Sequence, residues 1–388
     1  APNAAAAYSL RSLTGGDPRV VRVRRVIDNA ESDFTASGVS SGALTSFVND
    51  IQTVGTAVNG TGSFDNYTVS NLSNTGFSAD NSAGGTGSAG FPYVFKDDDV
   101  LVVKYTVTNF SSTSSLSPAL RGVNNLNSVT GLTNSGTTFT ANGTYTDTLT
   151  ATADGSHLMY ADGNTGSYTI SDFKIVSHSG SGFVETWYDQ SGNSNDAVQE
   201  TAASQPKIVS AGALVADNGI DFDGSNFLAA TPVSGLEGSF SMFATSVRDS
   251  GSGYTVSISK SAANNRYFAS QEGGSASNAV PRNSTSGVSV SDSVSGNTRL
   301  TFALTTSATS TSVGALGSAV TTTTDNYGQE FTSNSGMNQI AIGILRTVNT
   351  TGQFNGRIRE ILVYTSDQTD NRGAVETNIA NHYNITLV

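Results

Sequence analysis

Val100-Leu-Val-Val-Lys-Tyr-Thr-Val107 is dominated by β-branched and aromatic residues and contains neither Gly nor Pro. A short run of this kind reads as a strand. It recurs in other guises, for example Ile340-Ala-Ile-Gly-Ile-Leu345 and Arg357-Ile-Arg-Glu-Ile-Leu-Val-Tyr364. Between the runs lie Gly, Ser, Asn and Thr, the residues of tight turns. Only 13% of the 388 residues are charged, against roughly 25% in ordinary soluble domains. With 41 glycines and few long apolar heptads, the composition favours short strands over helices. Disorder is excluded by the recurring apolar runs, which bury enough surface to offset chain entropy.

The length suits two β domains rather than one. Residues 1 to about 50 form a short opening unit that includes Arg19-Val-Val-Arg-Val-Arg-Arg25, a strand with one wet face, and Ser41 to Val48, a short helix. Residues 52–180 have their own strand rhythm and end in Ser177-His-Ser-Gly-Ser-Gly182, read as a hinge. The chain closes with Asp370 to Tyr383. There Val375, Ile379 and His382/Tyr383 fall on one helical face, and Asp370 is placed to cap the start.

A net charge of −12 argues against nucleic acid as a partner, because phosphate contacts need clustered Lys and Arg. No apolar run approaches the roughly 18 residues of a membrane span, so no membrane role is expected. The absence of cysteine removes disulfides, thiolate metal sites and thiol nucleophiles. The N-terminus has no charged start or apolar stretch of a signal peptide, which suits a cleaved signal or a virion protein released by lysis. The expected location is the virion or the extracellular space.

Candidate chemistry is sparse. A glycosidase needs two carboxylates roughly 5–10 Å apart, and Glu185, Asp189, Asp221 and Asp223 are the acids to weigh. In Asp189-Gln190-Ser-Gly192 the small residues favour a structural turn, with the aspartate accepting backbone N–H bonds. Asp97 and Asp99 in the densest acidic run, and Asp221 and Asp223 alternating around Phe222, are candidate calcium ligands. Hydrated turns and a solvated strand face are the competing readings, and no other cofactor is indicated. His157, His178 and His382 lack zinc-site spacing. Tyr93, Tyr105, Tyr160 and Trp187 are the candidate sugar-stacking rings, with Trp187 and Tyr188 necessarily on opposite faces of a strand.

Three blocks together resemble a known framework: Ala7-Tyr-Ser-Leu-Arg11 with Val23-Arg-Arg25, then Trp187-Tyr-Asp-Gln-Ser-Gly-Asn-Ser-Asn-Asp196, then Ile220-Asp-Phe-Asp-Gly-Ser225. They are similar to the catalytic domain of the fungal α-L-arabinofuranosidase B family. They are more similar still to the concanavalin A-like (LamG-type) domains of tailed-phage virion proteins, which the stretch Ile361 to Gln368 also resembles. The resemblance covers about 1–50 and 183–388. It implies an all-β, concanavalin A-like jelly-roll sandwich with a second β-sandwich, similar to a carbohydrate-binding module, inserted in a loop, and a short C-terminal helix. In the arabinofuranosidases a glutamate beside a vicinal cysteine pair, and a separate aspartate, carry the chemistry. This chain has no cysteine and no matching Glu motif, so no catalytic residue is carried over.

The expectation is a non-catalytic structural or adhesive virion protein, a head decoration or tail-fibre component. Its partners would be other virion proteins, copies of itself in a homo-oligomer, and cell-surface polysaccharide. The tyrosine-bearing insertion is expected to meet the glycan, and the arm Ala1 to Ala7 to lie against a neighbouring subunit. The alternatives are a secreted glycoside hydrolase and a bacterial surface lectin or adhesin.

Overall fold

In Leu101, Val103, Tyr105 and Val107 every second side chain is fully buried, while Lys104 and Thr108 face solvent. That two-residue period is the signature of a strand with one dry face. The computed structural model describes residues 3–59, 68–80, 87–112, 119–123, 137–162, 166–260, 267–282, 289–306, 310–324, 331, 336–347 and 352–388. Described residues between 58 and 179 pair only with one another, in two sheets. One sheet runs Gly143–Thr150, Val100–Ser112, Gly166–Ser179, Phe77–Asp80, Thr68–Ser70. The other runs Val58–Asn59, Gly87–Phe95, Gly155–Asp162, Ala119–Val123. Their facing sides enclose one aromatic-rich core in which Phe91 stacks on Phe173 at 3.8 Å.

The rest of the chain forms a larger sandwich. Its front sheet runs from Glu31–Thr35 through Arg19–Arg25, Gly182–Trp187, Ala197–Val198, Leu228–Ala230, Gln339–Ile342, Gly253–Ser259 and Tyr267–Glu272 to Ala276–Arg282. The back sheet runs from Ser310–Ala315 through Thr298–Thr305 and Phe240–Arg248 to Asn355–Tyr364. Along its far edge, Asn355–Tyr364 takes both Ala6–Ser9 and Ile220–Asp223. Lys207–Ser210 then pairs with Ile220–Asp223 and with Gly182–Trp187, joining the two sheets at one side. Phe222, Met242, Val256, Ile258, Phe268 and Ile340 fill the space between.

Helix Arg372–Tyr383 covers the outer face of the back sheet, with Val375, Ile379 and Tyr383 against Phe243, Phe302 and Leu362. His382, on the same predicted face, is exposed. The expected cap is displaced. Asp370 lies inside a tight turn, Thr369–Asn371, and the helix begins at Asn371 without a side-chain cap. The turn is instead held by Asp367, which accepts from the Thr369 N–H and hydroxyl. The N-terminal arm is also placed differently from the expectation. Ala4, Ala6 and Ala7 are buried in their own chain, because the strand Ala6–Ser9 completes the back sheet.

The two units meet at a clasp. Asn49 accepts the Gly180 N–H at 3.1 Å and donates to the Gly212 carbonyl at 2.9 Å, while Gly212 N–H reaches the Gly180 carbonyl at 2.9 Å. The chain therefore leaves and re-enters the larger sandwich at neighbouring points. Gly182 is needed there, since a Cβ would stand 2.8 Å from Val48.

Candidate ligand-binding site

Asp189 saturates its carboxylate with protein donors. Oδ1 accepts the Ala7 and Ser191 N–H groups at 2.8 Å each, and Oδ2 accepts the Ser191 hydroxyl at 2.7 Å and the Asn195 N–H at 3.0 Å. Gln190 is buried and donates to the carbonyls of Ser9 and Arg11, while its own carbonyl accepts the Leu13 N–H. Gly192 has φ +94°, a value that favours glycine. These bonds hold the segment 4–13 against the turn. An acid with all four acceptor positions engaged is poorly placed to move a proton. Glu185, the acid nearest in sequence, is bound instead by the Thr186 hydroxyl and lies 3.9 Å from Arg22.

The stacking rings expected from sequence are placed in the cores. Trp187 and Tyr105 are 0% exposed and Tyr93 is 2% exposed, so none offers a face to a sugar. Trp187 packs on Tyr8 with ring centroids 5.7 Å apart. The Tyr105 hydroxyl donates to Asp147 at 2.8 Å, and Tyr93 lies 3.3 Å from His178. Tyr93 and Tyr105 are buried by strand parity with core neighbours such as Phe91 and Val103, whereas Trp187 turns inward past a register shift between Val184 and Thr186. The Tyr160 side chain lies outside the described residues.

The candidate calcium ligands do not assemble. Asp97 is exposed, whereas Asp99 is buried and accepts the Lys96 N–H at 2.7 Å beside His178 Nε2 at 2.9 Å. Asp221 and Asp223 share a strand face, but Asp223 closes its own turn by accepting from Ser225. Burial pushes the Asp223 carboxyl up, yet the bonds from Ser225 and Asn226 outweigh it and hold it below the usual range. Asp221 moves the other way: burial raises it, and Arg357 opposes without prevailing. Among the described residues, no three His, Asp or Glu side chains converge where a metal would sit.

A cavity of about 550 Å³ opens instead where four distant segments meet. Pockets of this size and lining are typical of small-ligand sites. Leu10, Ala36, Val39 and Leu214 make the apolar lining, and Arg11, Asp17, Ser37, Ser40, Asn218 and His382 supply polar groups. The helix Ala36–Ser40 is started by Thr35, whose hydroxyl accepts the Gly38 N–H at 3.1 Å. Asp17 ties the preceding loop to that helix by accepting the Ser37 N–H at 2.8 Å and hydroxyl at 2.5 Å. Those bonds hold the Asp17 carboxyl below its ordinary value.

The cavity wall is braced by an ion pair. Arg11 meets Glu360 in a fork, Nε to Oε2 at 2.7 Å and Nη2 to Oε1 at 2.9 Å, and also reaches Asn378 at 2.7 Å. Paired planar groups of this geometry are strong and directional. Burial opposes the charge on Arg11, but the Glu360 bonds overcome it and raise the guanidinium pKa. Ser9 donates to Glu360 at 3.0 Å, and the Tyr383 hydroxyl donates to the Arg359 carbonyl at 3.2 Å. Burial foremost, then Glu360, pushes the Tyr383 phenol up. Partial burial, then Arg11, pushes the His382 imidazole down against the opposing pull of Glu360. Sequence reasoning did not reach this cavity. Leu10 and Arg11 entered only through the resemblance, because no local spacing links them to residues 36–40, 214–219 and 382–383.

No family model matches the chain, and no curated protein matches it either. Several solved structures do. Ruminococcus gnavus IT-sialidase CBM40 bound to alpha2,3 sialyllactose aligns at 14% identity and TM-score 0.31, covering 35% of this chain and 80% of that one. An arabinofuranosidase complexed with arabinofuranosyl-alpha-1,2-xylobiose aligns at 14% identity and TM-score 0.40, covering 74% of this chain and 63% of that one. A GH54 a-l-arabinofuranosidase soaked with a cyclic sulfate inhibitor aligns at 13% identity and TM-score 0.37. It covers 72% of this chain and 62% of its own, so the match spans under two thirds of either arabinofuranosidase.

Proposed function

We propose that this chain is a non-catalytic, glycan-binding structural protein of a tailed-phage particle, either a head decoration or a tail-fibre component. In this reading it acts as a homo-oligomer among other virion proteins and holds cell-surface polysaccharide. The observation that carries the binding role is the cavity beside Arg11. Its apolar lining suits the C–H face of a sugar ring, and Ser40, Asn218 and His382 supply hydrogen-bonding groups for hydroxyls. The acid of its lining, Asp17, is committed to Ser37, and Glu360 behind the wall to Arg11, which favours holding a ligand over cleaving it. The virion role rests on the resemblance carried by residues 7–25, 187–196 and 220–225.

The test is a filled cavity. Ala36→Phe places a ring where the ligand would sit without touching the Arg11–Glu360 brace. Binding measured on a polysaccharide array should fall by about tenfold or more, with the melting temperature held. Unchanged binding at unchanged stability would remove the cavity from consideration. Mass spectrometry of purified particles against the soluble fraction tests the virion role, and recovery only in the soluble fraction would overturn it.

A further inference from the structure

The segment 10–17 and the helix Arg372–Tyr383 border the cavity beside Arg11, and a second cavity of about 370 Å³ opens between the same two elements. Ala374, Asn378 and His382 recur every four residues and so lie along one stripe of the helix. The first two line the second cavity, and His382 lines the first. At 1.5 Å per residue that stripe is about 12 Å long. Arg11 and Ser12 belong to both linings. The two cavities are therefore successive chambers of one groove.

Arg11 forms the saddle between them. Its side chain reaches the helix, where Nη2 donates to Asn378 Oδ1 at 2.7 Å. Two donors are left over there: Arg11 Nη1 and Asn378 Nδ2 have no protein partner among the described residues. The Arg11 side chain is 18% exposed and Asn378 is exposed, so a ligand in the groove can reach both. Apolar surface lies on either side of the saddle. Leu10, Val39 and Leu214 supply it in the first chamber, and the half-buried Leu13 and Val375 supply it in the second. The acid of the second chamber, Glu360, is committed to Arg11 and Ser9.

We propose that this groove takes at least two consecutive sugar units of one glycan chain, one in each chamber, with the linkage crossing the Arg11–Asn378 saddle. The inference rests on the reading of the cavity beside Arg11 as a glycan site, and it makes the recognised unit an oligosaccharide rather than a single sugar. Apolar, polar and apolar surface in succession matches a chain whose ring C–H faces alternate with hydroxyl and ether oxygens. Arg11 Nη1 and Asn378 Nδ2 can only donate, so they meet those oxygens. A second contact covalently joined to the first becomes intramolecular, so even a weak second chamber raises affinity.

The experiment titrates the full chain calorimetrically with the mono-, di- and tetrasaccharides of the arabinan, xylan, cellulose and galactan series. In at least one series the disaccharide should bind about tenfold or more tighter than the monosaccharide. Ala374→Phe fills the second chamber from an exposed helix position. It should bring the disaccharide to within about twofold of the monosaccharide, with monosaccharide binding and melting temperature held. Ala36→Phe, in the first chamber, should weaken both. Equal affinity for mono- and disaccharide in every series would overturn the two-chamber groove, as would unchanged disaccharide binding by a folded Ala374→Phe variant. Losses confined to Ala36→Phe would then leave the first cavity standing alone. Disaccharide binding untouched by Ala36→Phe would overturn the cavity reading itself, and the absence of disaccharide binding in every series would overturn the groove.

Discussion

The inserted sandwich and the larger one solve the same packing problem with different side chains. In the insertion the space between sheets is closed by rings: Phe77, Phe91, Phe139, Phe173, Tyr105 and Tyr168 are all buried. The larger sandwich fills its core mostly with aliphatic residues, with rings such as Trp187, Phe222 and Phe268 among them, and also buries polar groups, including Ser257, Thr301, Glu272 and Arg299. Glu272 accepts from Ser277 at 2.8 Å and Thr301 at 2.7 Å and lies 3.3 Å from Arg299. Tyr93, Tyr105 and Tyr168, which made the insertion look like a sugar-binding surface, are therefore packing material. The large cavity belongs to the other unit.

This contrast predicts where each unit breaks. Phe91→Ala should cost about 3–5 kcal/mol through the lost ring and the cavity left behind. Glu272→Ala should cost a similar 3–5 kcal/mol by stranding Arg299 without its partner. Calorimetry should show the first change lowering only the transition of the insertion and the second only that of the larger sandwich. A single transition lowered by both would mean that the two units unfold together.

The buried pair also sets a pH dependence. Burial raises the Glu272 carboxyl above its ordinary 4.5 and lowers Arg299, the desolvation cost exceeding what each returns to the other. A folded state that holds its proton more tightly than the unfolded state loses stability as pH rises between those two pKa values. Glu272's own contribution to stability should therefore fall as pH climbs above its ordinary 4.5, and Glu272→Gln should remove that contribution. Urea unfolding at a series of pH values measures it. An unchanged slope in the variant would assign the dependence to other groups.

Smaller effects sharpen the same comparison. Asp189→Asn exchanges an acceptor-only group for one that cannot meet four donors, costing about 1–3 kcal/mol in the larger sandwich. Asp97→Asn, on the exposed turn of the insertion, should stay within about 0.5 kcal/mol and leave binding unaltered. A calcium-dependent melting shift lost in Asp97→Asn would restore that turn as a metal site.

The strands and the C-terminal helix were legible in sequence because both follow short-range periods. Tyr105 was misread although its parity was visible: it falls on the same face as Leu101, Val103 and Val107, the face that packs inward. Counting tyrosines ignored that alternation. Asp370 looked like a cap by position, but Asp367 bonding to Thr369 formed the turn one step earlier. The cavity was not legible at all. Its lining comes from residues 10–17, 36–40, 214–219 and 382–383, and pairing at such distances is set by sheet topology rather than by local pattern.

The central claim is that ligand recognition resides in the larger sandwich and not in the insertion. Asn49 and Gly180 are hydrogen-bonded neighbours, so residues 55–180 can be replaced by a short Gly/Ser linker without moving the flanking chain. The direct measurement is polysaccharide binding by that shortened protein beside isolated residues 52–180. The account predicts a folded, β-rich shortened protein that binds within about twofold of the full chain, and a folded insertion that binds nothing. Binding by the insertion alone, with none by a folded shortened protein, would contradict it.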